Sequence, residues 1–76
     1  MTEIEWLNSF ANNLMRMLYE CKLTQKDLAD MTGLSEATIS KYIRRQQMPG
    51  IKAIVNIAYA IGCNTDDLID FGDTIN

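Results

Sequence analysis

Apolar residues recur at Ile4, Leu7, Phe10, Ala11, Leu14, Met17, Leu18 and Cys21, the three-and-four spacing that lines one face of an α-helix. The pattern predicts a long amphipathic first helix flanked by Trp6, Met15 and Tyr19. Thr2 is placed to cap it, and Glu3 and Glu5 stand in the first turn, where the helix dipole favours negative charge. After Leu23 the phase restarts. Thr24 and Asp27 have the spacing of a capping box, so a second helix is predicted from Gln25. Gly33 ends it, because glycine accepts the left-handed conformation that terminates a helix. Ser35 then caps a third helix, with Glu36 in its first turn and Leu34 positioned to staple onto Ile39. The same periodicity turns Ile39, Tyr42 and Ile43 inward and Glu36, Ala37, Ser40, Lys41 and Arg44 outward. Pro49 disfavours helix at Met48, so residues 45–50 read as a loop. A fourth helix opens at Ile51 with the stripe Ile51, Ile54, Val55, Ala58 and Ile61, and Gly62 closes it. A short fifth helix is predicted with Asn64 as cap, Asp66 and Asp67 in its first turn and Leu68 and Ile69 as its buried pair, before a frayed tail from Gly72. No strand alternation, repeat or low-complexity stretch intervenes. The expectation is an all-α, compact five-helix bundle forming a single domain over residues 1–76.

Composition narrows the class. A chain of 76 residues, 47% hydrophobic with one proline and four glycines, suits one small globular core and neither a disordered tail nor a disulfide scaffold. No run is apolar enough to span a bilayer and the first residues are acidic where a signal peptide is basic, so a cytoplasmic protein is expected. Cys21 and Cys63 sit among apolar neighbours and are expected as buried free thiols. With no histidine in the chain they cannot complete a four-ligand zinc site, and neither a metal nor a cofactor is expected.

The net charge of −3 weighs against a polyanionic partner until its distribution is read. Lys22, Lys26, Lys41, Arg44, Arg45 and Lys52 face only Asp27, Asp30 and Glu36 in the central segment, leaving that segment basic and the flanks acidic. Such a layout fits a one-faced nucleic-acid binder, and equally a set of solvated helix faces. The spacing of the second and third helices adds a sharper signal. A glycine turn this tight makes them cross steeply, with Leu28, Leu34, Ile39 and Tyr42 sharing a small core and Ala29 allowing close approach. The outer face of the third helix is then free to enter a major groove.

These features resemble the phage repressor and Cro-like helix-turn-helix domains. The matching residues are Leu23-Thr24-Gln25, Leu28-Ala29, Gly33-Leu34, Ser35, Thr38-Ile39-Ser40, Tyr42, Pro49 and the run from Ile57 to Ile69. The resemblance implies a lambda-repressor-like fold and a sequence-specific double-stranded-DNA-binding transcriptional regulator, in all expectation a repressor. Its recognition helix would span about residues 35–45. It further implies that Gln25 touches a phosphate, that Ser35, Glu36, Ala37 and Lys41 read bases, and that Thr38, Ser40 and Arg44 lie near the backbone or groove edge, with Arg45 in the same DNA-binding set. Arg45 departs from the glycine or asparagine frequent in the family, so either it leaves the helix in an uncommon conformation or the third helix runs longer. Thr32 replaces a typical aliphatic, and Leu18 replaces a frequent basic residue.

A homodimer on a two-fold operator is the implied partner arrangement. Ile57, Tyr59, Ile69 and Phe71 are candidates for its interface, or else for core packing. The competing reading is a protein-binding module of the same fold, antitoxin-like or an anti-regulator. An enzyme is disfavoured by the absence of histidine, of a metal-ligand cluster and of a glycine-rich phosphate loop, and no small-molecule substrate or membrane partner is expected.

Overall fold

Side-chain caps fix where the first three helices of this chain begin. The computed structural model describes residues 2–62 and Leu68, and among these it contains four helices and no strand. They are α1 (Glu3–Glu20), α2 (Gln25–Thr32), α3 (Glu36–Ile43) and α4 (Ile51–Ile61). Thr2, Thr24 and Ser35 each accept from the amide three residues on, and at Thr2 and Thr24 the acidic side chain at that position reaches back to complete a capping box. The predicted fifth helix falls on residues outside those described, except Leu68, which is helical and wholly buried. The described bundle therefore has four helices where five were expected.

Phe10, Leu14, Leu28, Ile39, Ile57 and Leu68 form the fully buried centre, with Leu18, Ala29, Tyr42, Ile54 and Ala58 around it. α2 packs on both α3 and α4, and α1 packs on α3. An aromatic column joins the last pair: Trp6 stacks on Phe10 at 5.6 Å, and Phe10 meets the edge of Tyr42 at 6.1 Å. Such offset and edge contacts add to simple burial and hold α3 at a defined height on α1. Asn13 is buried, and its amide nitrogen donates to the Leu68 carbonyl at 3.0 Å.

Several expected core positions lie at the surface. Cys21 is exposed, because α1 ends at Glu20 and Cys21 is already its C-cap. Ile4, in the first turn of α1, is exposed as well; Met15 and Tyr19, which flank the stripe and could either widen the core face or lie exposed, are exposed. On α4 the inward stripe is Ile54, Ile57 and Ala58, whereas Ile51 and Val55, read as core, are 81% and 51% exposed. The helix is apolar on two adjacent faces, so periodicity alone could not choose between them.

Among the described residues, two that are not glycine adopt left-handed backbone: Lys22 at φ 57° just past α1, and Arg45 at φ 62° just past α3. Each such residue costs roughly 1–2 kcal/mol relative to ordinary backbone. For Arg45, of the two alternatives left open by the sequence, the chain leaves the helix; α3 stops at Ile43 with Arg44 as C-cap.

Candidate nucleic-acid interface

The turn between α2 and α3 is built by Gly33 and Thr32. Gly33 takes φ 78° and its amide closes on the Ala29 carbonyl at 2.9 Å. A Cβ there would meet nothing within 4 Å, so the requirement for glycine is one of backbone conformation. Thr32, the residue that replaces an aliphatic, does work an aliphatic cannot. Its hydroxyl donates to the Leu28 carbonyl at 2.8 Å and accepts from the Leu34 amide at 3.2 Å, satisfying a donor that the turn would otherwise strand.

α3 leaves this turn with one face sealed and one open. Ile39 and Tyr42 are 0% and 4% exposed, while Glu36, Ala37, Lys41 and Arg44 are all exposed. Thr38 and Ser40 are half-buried between the two faces. Ser35 is exposed at the N-cap, where its Oγ accepts from the Thr38 amide at 3.0 Å and lies 2.8 Å from the Thr38 Oγ1. Whichever hydroxyl donates in that pair, one hydroxyl hydrogen is left over to donate outward. The open face thus offers a carboxylate, a methyl, an ammonium and a guanidinium along one helix narrow enough for the major groove, which is about 12 Å wide.

Gln25 is the first residue of α2 and half-buried. The capping box engages the amides of Thr24 and Asp27 at 2.9 and 3.0 Å. By helix geometry the amides of Gln25 and Lys26 remain open at the same end, a disposition suited to an anion. The Asp27 carboxyl is held below its ordinary pKa, first by the Thr24 amide and then by the Thr24 hydroxyl, so it is ionised at neutral pH and stays in the cap. Leu18, where a phosphate-binding cation was missed, is buried in the core.

Arg45 is placed differently from its neighbours in the expected set. Although exposed, its guanidinium is turned onto α1, with Nε 2.7 Å from Asn8 Oδ1 and Nη2 2.6 Å from Asn12 Oδ1. Nη1 donates to the Ile43 carbonyl at 3.0 Å. Sequence reading missed Asn8 and Asn12; their spacing of four on the polar face of α1 was the available signal.

On α4, the exposed residues Ile51, Val55 and Tyr59 line a shallow apolar groove with Lys52 and Asn56. Tyr59 is 86% exposed and Ile57 fully buried, which separates two residues considered together as interface candidates; Ile69 and Phe71 lie outside the described residues, as does Cys63. No helix among the described residues is long and apolar enough to cross a membrane.

The helix-turn-helix family model matches residues 14–68, taking in the end of α1 from Leu14 and all of α2, α3 and α4. Comparison with curated proteins and with solved structures finds no match.

Proposed function

The chain belongs to the helix-turn-helix family of the phage repressor and Cro type, and from that premise we propose that it represses transcription by binding a two-fold DNA operator as a homodimer, α3 lying in the major groove. The observation that carries this reading is the one-sided exposure of α3: Glu36, Ala37, Lys41 and Arg44 face outward together while Ile39 and Tyr42 anchor the helix from behind. Lysine can donate to guanine O6 and N7, glutamate can accept from the cytosine amino group, and the alanine methyl can meet that of thymine. Gln25 and the open end of α2 supply a phosphate contact that sets register without reading sequence. Because one helix reads too few bases to be selective, a second copy is part of the proposal.

The α4 groove suits that second copy. Ile51, Val55 and Tyr59 are spaced evenly by four, so two antiparallel α4 helices related by a two-fold axis through Val55 pair each Ile51 with the other copy's Tyr59. Lys52 is the one charged residue of α4, in keeping with the depletion of charge at interface centres.

Selection of bound duplexes from random DNA, followed by a salt titration on the winner, tests the reading. A conserved two-fold motif and a steep loss of affinity with salt are expected. Recovery of no sequence, with flat salt dependence, overturns it in favour of a protein-binding module, a reading favoured by the acidic net charge of −3 and by the same apolar α4 face.

A further inference from the structure

We propose that Arg45 is not a phosphate ligand but a latch that fixes the recognition helix against α1, and so acts on DNA only through the position it gives to α3. The inference rests on the DNA-binding reading for its functional consequence and on the geometry alone for the latch itself.

Arg45 combines two features that do not ordinarily occur together. Its backbone is left-handed, the conformation in which the Gln46 amide closes on the Lys41 carbonyl at 2.8 Å, as the Leu23 amide closes on the Leu18 carbonyl past Lys22. Its side chain adds what Lys22 lacks: Nε, Nη1 and Nη2 each hold a carbonyl oxygen at 3.0 Å or less. Two of the acceptors, Asn8 and Asn12, stand one turn apart on α1, and the third is the Ile43 carbonyl at the end of α3. One guanidinium thus bridges the last turn of the recognition helix to the middle of α1. The planar fork of arginine is needed for this; a lysine ammonium carries the same charge and cannot span the three acceptors in one plane.

The bridge also complements the aromatic column. Trp6, Phe10 and Tyr42 fix the distance between α1 and α3 through apolar contact, which permits α3 to rock about Tyr42. A second, polar attachment beyond the end of α3 removes that freedom. Base contacts depend on the placement of Glu36, Ala37 and Lys41 to within a fraction of an ångström, whereas phosphate contacts are forgiving. Release of the latch therefore lowers discrimination before it lowers general affinity. Both acceptors on α1 are neutral amides, so removing them leaves every cation in place.

The test compares Arg45→Lys, Arg45→Gln and the double variant Asn8→Ala/Asn12→Ala on the selected duplex and on a random duplex across a salt series. Alanine is the better helix former, so the double variant leaves α1 intact. A latch predicts that Arg45→Lys and the double variant each weaken the selected duplex by roughly tenfold, with little change on random DNA and an unchanged salt slope. A phosphate ligand gives the opposite result: Arg45→Lys binds normally, and Arg45→Gln loses affinity equally on both duplexes with a salt slope lower by about 1. That result overturns the proposal, as does normal binding by the double variant. In the free protein, slow exchange of the Arg45 Nε–H by NMR, made fast in the double variant, reports the latch without DNA. If the wild type binds neither duplex while this N–H is protected, the DNA reading fails and the latch stands; rapid exchange in the wild type sinks the latch alone.

Discussion

Asn56 on α4 donates its side-chain amide to the Thr32 carbonyl at 2.7 Å, while the Thr32 hydroxyl turns back into α2 to hold the Leu28 carbonyl. One threonine therefore closes the helix-turn-helix from within and moors it to α4. Thr32→Val keeps the shape and removes the hydroxyl, leaving the Leu34 amide without its acceptor. A loss of about 1–3 kcal/mol is expected, measured by urea unfolding followed through Trp6 fluorescence, with an unchanged m-value. Asn56→Ala is expected to cost about 1 kcal/mol. Full stability in both variants would contradict the arrangement.

The left-handed positions make an opposed pair. Gly33→Ala introduces no clash and is expected to destabilise by about 1 kcal/mol, the strain being partly offset by a stiffer unfolded chain. Lys22→Gly should stabilise by roughly 0.5–1 kcal/mol for the converse reason. Thermal unfolding of the two variants beside wild type reads both signs.

Acid sensitivity follows from the capping boxes. The carboxyls of Glu5 and Asp27 are lowered, in each case chiefly by the backbone amide of the capping threonine. A carboxyl whose folded pKa lies below its unfolded value contributes stability above the unfolded value, about 4, and loses it as pH falls toward the lowered one. The stability gap between wild type and Asp27→Asn should then be flat from neutral pH to about pH 5 and change below about pH 4. A gap that is constant throughout would show that the box does not form in solution.

Base reading and phosphate contact separate by substitution. Lys41→Ala should weaken the selected operator by about 1–3 kcal/mol and random DNA far less, whereas Gln25→Ala should weaken both alike. Equal loss on all sequences for Lys41→Ala would remove it from the base-reading set.

What the sequence disclosed and what it hid divide along physical lines. Helix starts were legible because Thr2, Thr24 and Ser35 act on amides only three residues away. The open face of α3 was legible because a single apolar stripe fixes its phase. The buried side of α4 was not, since Ile51 and Val55 are as apolar as Ile54 and Ile57 and the choice among them is made by tertiary packing, including that on α2. Lys22 carries no glycine to announce its backbone, and Cys21 continues a stripe that outlasts its helix. The partners of Arg45 lie 37 and 33 residues away, beyond the reach of any local pattern.

The buried bond from Asn13 to Leu68 spans 55 residues and ties α1 to a segment far along the chain. During synthesis, a nascent chain still lacking Leu68 leaves the Asn13 amide facing an unfinished cavity beside Phe10 and Leu14, at the cost of an unpaired donor. Closure of the core around Asn13 consequently waits until Leu68 has been made, however early the helices before it have formed their own backbone bonds.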